Sequence, residues 1–379
     1  MTENSVRGSF PGRRRSRPAG TVTTRKTRRT TALAALSAVV VAGAFALTAC
    51  SSGQGDGDAG TVDTLDTLDT DFTPVTFTTP WGETTLEARP ERIAAVGYKD
   101  TDIVASMGET PVIVPENTVD QEAWTLEALE ALSGDPESTF AYDANGLPPV
   151  EELAAAEPDL IIASQLDLKD VYDQLSGIAP VIAAETEEDV AGNWQQTVIN
   201  LGEALGEEER ADEVIDDTEH AAASVREKYP EFGGKTVSLI QYFGLDEMRM
   251  LNPSGSDAAA LFGDLGFGDD PGTADLAGVQ LSGERVDDLA ADVIIVLDNS
   301  NGRIGELEDS AVFAGIPAVR DDRVLVISNN AFKEGNHPSF EANGKHYEGN
   351  LAWALAYPGP LSTRWAVETL APLLADTVR

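Results

Sequence analysis

Aromatic and basic side chains recur beside short apolar runs of this chain. Tyr98 and Lys99 follow "RIAAVG", Tyr242 and Arg249 lie in "TVSLIQYFG" and "EMRMLN", and Lys333 follows "VLVISNN". Trp124 and Tyr142 fall in long connecting segments, and Trp353 closes a polar, glycine-rich stretch, "EGNHPSFEANGKHYEGN". The chemistry open to this set is non-covalent. Aromatic rings give broad apolar contact, and Arg or Lys bonds anionic oxygens. Catalytic sets are hard to assemble. The histidines are His220, His337 and His346, and His220 falls on a helical, solvent-exposed pattern. "SGSDAAALFG" reads as a Ser/Asp helix cap, not a nucleophile elbow. "GGKT" imitates the end of a phosphate-binding loop, but Tyr229 stands where the first glycine belongs and a strand follows. The expectation is a non-enzyme with no resident cofactor or metal. The rival is a zinc or manganese carrier using His337 and His346 with nearby acids, although no histidine precedes His220 to supply ligands from the first half.

The elements that must position these residues alternate. "RIAAVG", "PVIVP", "DLIIAS" and "APVIAAE" read as strands, with helices at 101–108, 150–157 and 168–177 between them. Short apolar strands separated by helices imply parallel βα units covered on both faces. From 193 to 232 no strand signal occurs, and Leu201, Leu205, Val214, Ile215, Ala222 and Val225 recur at helical spacing. The pattern predicts one helix from Glu207 to Tyr229, ended by Pro230 and two glycines. A second set of strands and helices follows, "DVIIVLD" and "DRVLVIS" among them, and an amphipathic helix closes the chain. The reading is α/β: two Rossmann-like lobes, 73–192 and 233–379, joined by a spine at 193–232.

A junction is repeated. "PVEELAAAEPDLII" and "SGERVDDLAADVII" align so that Glu151 matches Glu284, Leu153 matches Val286 and Asp159 matches Asp292. One copy falls in each expected lobe, as an approximate twofold would require. Helix N-terminal acids are favourable in their own right.

Residues 1–30 are basic, 31–47 are small and apolar, and "LTAC" ends at Cys50. This order predicts an export signal over 1–49. Cleavage before Cys50 and acylation of its thiol are the expected outcome, with an uncleaved anchor as the alternative. Residues 50–72 are rich in Gly, Ser, Asp and Thr, which predicts a flexible tether. Cys50 is the only cysteine, so no internal disulfide forms. Residues 1–49 hold nine of the 26 Lys/Arg and one of the 65 acids, which leaves 17 basic and 64 acidic side chains, a net of −47. Nonspecific nucleic-acid binding and a polybasic membrane patch are excluded on that charge. The expected ligand is neutral or cationic.

In the order "ARPERIAAVG", "MGETPVIV", "VEELAAAEPDLIIAS", "YDQLSGIAPVI", "LSGERVDDLAADVIIV", "FAGIPAVRDDRVLVI", "PGPLSTRWAVETLAPLL", the chain resembles the iron-siderophore and vitamin B12 class of ABC-transporter substrate-binding proteins. The resemblance covers nearly all of 80–379. It implies two α/β lobes on one rigid helix, a ferric siderophore held between them, and an ABC permease dimer with its ATPase as partner. It also implies that Glu151 and Glu284 dock permease arginines, that the protein sits as a monomer on the outer face of the cytoplasmic membrane, and that the membrane is reached through the lipid on Cys50 alone. Expected ligand contacts are Tyr98, Lys99, Trp124, Tyr142, Tyr242, Arg249, Lys333 and Trp353. A hydroxamate chelate fits the charge best. Haem, a corrinoid, or a sensor without transport on the same fold stay open.

Overall fold

The structure, a computed structural model, describes residues 72–116, 122–186, 193–329 and 338–379. Cys50, Lys333 and His337 lie outside them, as do the expected signal and nearly all of the expected tether.

The first lobe opens with a hairpin, β1 (Val75–Thr79) and β2 (Gly82–Leu86). Then come β3 (Ile93–Ala95), α1 (Asp100–Ser106), β4 (Ile113–Pro115), α2 (Ala123–Leu132), β5 (Ser138–Phe140) and α3 (Val150–Ala155). β6 (Leu160–Ala163), α4 (Tyr172–Leu175) and β7 (Val181–Ala183) complete it. The five parallel strands run in the order β5-β4-β3-β6-β7. The chain winds outward in both directions from β3 and β6, which puts a topological switch point at their carboxyl ends. Burial alternates as a doubly covered sheet requires. Ile93, Ala95, Leu160 and Ile162 pack with one group of buried residues, and Ala94, Val96, Ile161 and Ala163 with another.

α5 (Trp194–Leu205) and α6 (Glu208–Lys228) follow. Gly206, in the left-handed region at φ 67°, makes the turn between them. Gly202 lets them approach closely, since a Cβ there would lie 2.6 Å from that of Ala211. The 21 residues of α6 span about 31 Å at 1.5 Å per residue. Its Ala211 and Val214 pack with β3 and β6 of the first lobe, while Ala222 and Val225 pack with the second. One helix thus has an end in each core. Acids in its first turn and Arg226 and Lys228 in its last complement the helix dipole.

The second lobe holds β8 (Val237–Gly244), β9 (Glu247–Met250), α7 (Asp257–Asp264), β10 (Val293–Asp298), α8 (Ile304–Glu308), α9 (Ala311–Gly315), α10 (Pro317–Arg320) and β11 (Val324–Asn329). β12 (Ser339–Ala342), β13 (Lys345–Glu348), α11 (Leu351–Ala356) and α12 (Pro360–Val378) end it. Its sheet runs β13-β12-β11-β10-β8-β9, parallel at β8, β10 and β11 with antiparallel edges. The polar, glycine-rich stretch before Trp353 contains a hairpin: Ser339–Ala342 pairs with Lys345–Glu348. "GERVDDL" forms a 3-10 run over Gly283–Leu289, kinked at Arg285, where a helix is expected.

The repeated junction is repeated in structure. The Asp159 carboxylate accepts from the backbone N–H groups of Glu91 and Arg92, both at 2.8 Å, just before β3. Asp292 accepts from the N–H of Thr236 at 2.9 Å, just before β8. Each aspartate leads into the strand that pairs with the one it anchors. Leu153 and Val286, matched in the repeat, are both fully buried.

Candidate functional site

Residues beyond the carboxyl ends of β3 and β5, together with α11 and its C-cap, bring four aromatic rings together. Tyr98 follows β3 and Tyr142 follows β5 in the first lobe, while Trp353 and Tyr357 come from α11 and its C-cap in the second. Ring centroids lie 4.9 Å apart for Tyr98–Tyr142, 5.9 Å for Tyr98–Trp353, 4.9 Å for Tyr98–Tyr357 and 4.6 Å for Trp353–Tyr357. Tyr98 is the hub, touching rings from both lobes. All four are partly buried. The Tyr142 hydroxyl donates to the carbonyl of Val96 at 2.6 Å, which ties the end of β5 to that of β3.

Arg249, on β9, is exposed. Its guanidinium lies 6.0 Å from the Phe243 ring, and its Nε donates to Gln241 Oε1 at 2.8 Å. Burial pushes the Tyr98 and Tyr357 phenols up, and the positive charge of Arg249 opposes the shift at both. Its field therefore reaches the rings. A pocket of about 270 Å³ opens beside it, lined by Phe243, Met248, Gly278 and Gln280 among others, close to the lower end of the range for small-molecule sites. Arg303, after β10, donates to the Phe243 carbonyl and is exposed as well.

Three expected contacts are placed elsewhere. Tyr242 is fully buried in the second-lobe core, its hydroxyl donating to the Arg303 carbonyl at 3.3 Å. Within β8, Ile240 and Tyr242 share the face that is buried in the core, while Gln241 and Phe243 on the other face are only partly buried. Trp124, on α2, is buried against second-lobe residues, with its ring 4.9 Å from that of Trp365. Lys99 is 1% exposed and its Nζ sits 2.6 Å from Asp257 of α7. The cavity beside it, with Ser164 and Gln165 in its wall, is about 10 Å³, room for about one water. Lys99 joins the lobes and is not presented to a ligand. Tyr98, Tyr142, Arg249 and Trp353 do share one region.

Tyr357, Phe243 and Arg303 were not among the expected contacts. Trp353 and Tyr357 are four apart, a spacing that places side chains on one helix face, so the first ring points to the second. Arg303 follows a strand end in the same way as Tyr98.

Glu151 and Glu284 are both exposed, on the first turn of α3 and at the start of the 3-10 run. His346 is exposed on β13 and meets Glu341 at 2.9 Å and Glu348 at 3.3 Å. Both carboxylates raise its pKa. Among the described residues no group of three or more His, Cys, Asp or Glu could hold a metal ion, and no helix is long and apolar enough to cross a membrane.

A family model described as periplasmic binding protein matches residues 93–331. Among curated proteins, a probable siderophore-binding lipoprotein of Bacillus subtilis, YfiY, is 28% identical over 166 residues, 41% of this chain and 46% of the relative. The Fe(3+)-citrate-binding protein YfmC of the same organism is 23% identical over 245 residues, 64% of this chain and 75% of the relative. The chain thus spans about half the length of the first curated relatives it matches. Among solved structures, the iron uptake ABC transporter substrate-binding protein PiaA of Streptococcus pneumoniae superposes with a TM-score of 0.64 at 26% identity, over 80% of this chain and 99% of that one. PiaA in complex with ferrichrome gives 0.65 at 25% identity, over 80% and 98%.

Proposed function

Because the chain belongs to the periplasmic binding protein family, we propose that it captures an intact ferric siderophore between its lobes and hands it to an ABC permease. The carrying observation is the aromatic cluster drawn from both lobes, with the charge of Arg249 felt at Tyr98 and Tyr357. Rings supply apolar contact for a chelate's organic shell, and a guanidinium bonds the oxygens that ligate iron. The names of the relatives, siderophore-binding and Fe(3+)-citrate-binding, and the ferrichrome complex of PiaA support the same class.

Within that class a hydroxamate chelate is favoured. Lys99 is neutralised by Asp257, which leaves Arg249 as the cation whose field reaches the rings. A ferric tris-hydroxamate core carries no net charge, whereas citrate and catecholate complexes are anions and would meet a strongly acidic protein. The protein is proposed to be a monomer tethered to the outer face of the cytoplasmic membrane through Cys50, with Glu151 and Glu284 meeting the permease.

Titration with ferrichrome, ferrioxamine B, ferric citrate and a ferric catecholate, read by tryptophan quenching, tests this. Ferric hydroxamates should quench with the tightest affinity, and Arg249→Ala should weaken binding by about 1–3 kcal/mol. Binding of free Zn²⁺ or Mn²⁺ with no response to any chelate, haem or corrinoid would replace this reading with a metal carrier.

A further inference from the structure

Glu122 immediately precedes α2 and is 2% exposed. Its carboxyl oxygens are both engaged. Oε1 accepts from the Trp353 indole Nε1 at 2.9 Å, and Oε2 accepts from Thr125 Oγ1 at 2.9 Å. The first bond crosses the lobe boundary, 231 positions along the chain. Trp353 is also held at its backbone, where its N–H donates to the Asn350 side chain at 3.0 Å. The indole has a single polar atom, so the Glu122 bond selects which way the ring lies. That ring meets Tyr98 and Tyr357, so its orientation shapes the second-lobe side of the cluster.

We propose that Glu122 is a positioning residue for the ligand site: its buried carboxyl, contributed by the first lobe, fixes the Trp353 indole of the second and thereby sets the shape of the aromatic wall. The inference deepens the siderophore reading and rests on it for the identity of the ligand.

The surroundings make this bond sensitive to pH. Asp100 and Asp102 of α1 are both buried near Glu122. Asp102 accepts from the N–H groups of Leu361 and Ser362 at the start of α12, both at 2.8 Å, and feels Arg364 of the same helix. Asp100 accepts from Gly97 and Ser164 and feels Lys99. α11 presents the Trp353 N–H, and α2 the Thr125 hydroxyl. Burial and the charge of Asp102 raise the Glu122 pKa to about 8. At pH 7 the group is a neutral acid, and above pH 8 it becomes an anion beside two other carboxyls. The sign for stability follows. The folded pKa lies above the ordinary carboxyl value of 4.5, so the native state holds the proton more tightly and stability falls as pH rises from about 4.5 to about 8.

The indole ¹H–¹⁵N resonance of Trp353, identified by its loss in Trp353→Phe, should be followed from pH 6 to 10 in the ligand-free protein. In the wild type it should titrate with a midpoint near 8. Glu122→Gln keeps an acceptor, so its resonance should stay near the wild-type position at pH 7 and be flat with pH. Glu122→Leu should move the resonance and weaken ferrioxamine B binding by about tenfold, with the Gln variant within about twofold of wild type at pH 7. A resonance that titrates in Glu122→Gln as it does in the wild type, or one that keeps its wild-type position in both Glu122→Gln and Glu122→Leu across the pH range, overturns the proposal, and the first result does not depend on the Leu variant folding. If the wild type binds no ferric chelate, the functional reading fails alone, and the indole titration still decides whether Glu122 holds Trp353.

Discussion

In the first lobe, the residues that follow the strand ends are charged and buried: Lys99, Asp100, Asp102 and Glu122 are all 2% exposed or less. In the second lobe Asp298, which ends β10, is buried and bonded to Ser300, but the cations at the corresponding edge, Arg249 and Arg303, are exposed. The strands behind them are built alike, with the same aspartate holding the same kind of backbone group at the far end of each sheet. The difference therefore arises in the seam, not in the sheets. First-lobe charges are spent on second-lobe partners: Lys99 on Asp257, Asp102 on the start of α12, Glu122 on Trp353. Buried polar and charged groups persist only when paired or hydrogen-bonded; Lys99, Asp102 and Glu122 find partners across the lobe boundary, and Asp100 finds its own in Gly97 and Ser164 of the first lobe. Together with α6, which has an end in each core, these bonds make a stiff joint. In the second lobe Arg249 and Arg303 stay exposed and bond within their own lobe, to Gln241 and to the Phe243 carbonyl.

The sharpest way to break this contrast is to remove one member of the buried pair. Lys99→Ala leaves Asp257, whose side chain is 9% exposed, without its cation, and should cost about 3 kcal/mol in urea unfolding. Arg303→Ala, on the exposed side, should cost less than about 1 kcal/mol. The double variant Lys99→Met/Asp257→Leu should recover most of the loss, because paired apolar groups replace a paired charge. Equal losses for Lys99→Ala and Arg303→Ala would mean that the seam is no stiffer than the rim.

A smaller effect tests the likeness of the lobes. Asp159→Ala removes two backbone bonds at 2.8 Å, and Asp292→Ala removes one at 2.9 Å. The expected losses are about 2 kcal/mol for the first and about 1 kcal/mol for the second. Hydrogen exchange should locate them at the starts of β3 and β8. A loss confined to one lobe would show that the repeat is sequence likeness without a shared structural task.

How far these features could be read beforehand follows from how local their causes are. The parallel strands, the spine and the twin junction rest on short patterns: buried runs such as "LIIA", helical spacing through 208–228, and an aspartate just before a strand. Tyr98 and Tyr142 follow strand ends, while Trp353 and Tyr357 stand four apart on α11 and its C-cap, and these positions bring their rings together. Tyr242 sits two residues short of its strand end, on the face of β8 that it shares with buried Ile240. Trp124 belongs to a helix without a strong apolar stripe, and its surroundings come from the other lobe. Lys99 meets its partner 158 positions away and Glu122 meets Trp353 across 231, so nothing near either residue signals its role.

The weakest effect on stability belongs to the residues with the most specific expected partner. Glu151 opens α3 and Glu284 opens the kinked 3-10 run, and both side chains are exposed. An exposed carboxylate contributes about 0–1 kcal/mol to any one ion pair, and its larger effect is on steering and orientation. Glu151→Ala and Glu284→Ala should each leave unfolding within about 0.5 kcal/mol of wild type, and neither should change chelate affinity, since neither residue lies in the aromatic cluster. Uptake by cells should fall in each single variant and fall further in the double. The two singles need not match, because one glutamate is presented by a regular helical turn and the other by a kinked one. Replacing each by Arg should impair uptake more than Ala does, since a cation would oppose a basic permease surface. Normal uptake by the double alanine variant would remove the docking role and leave both residues as ordinary helix N-terminal acids.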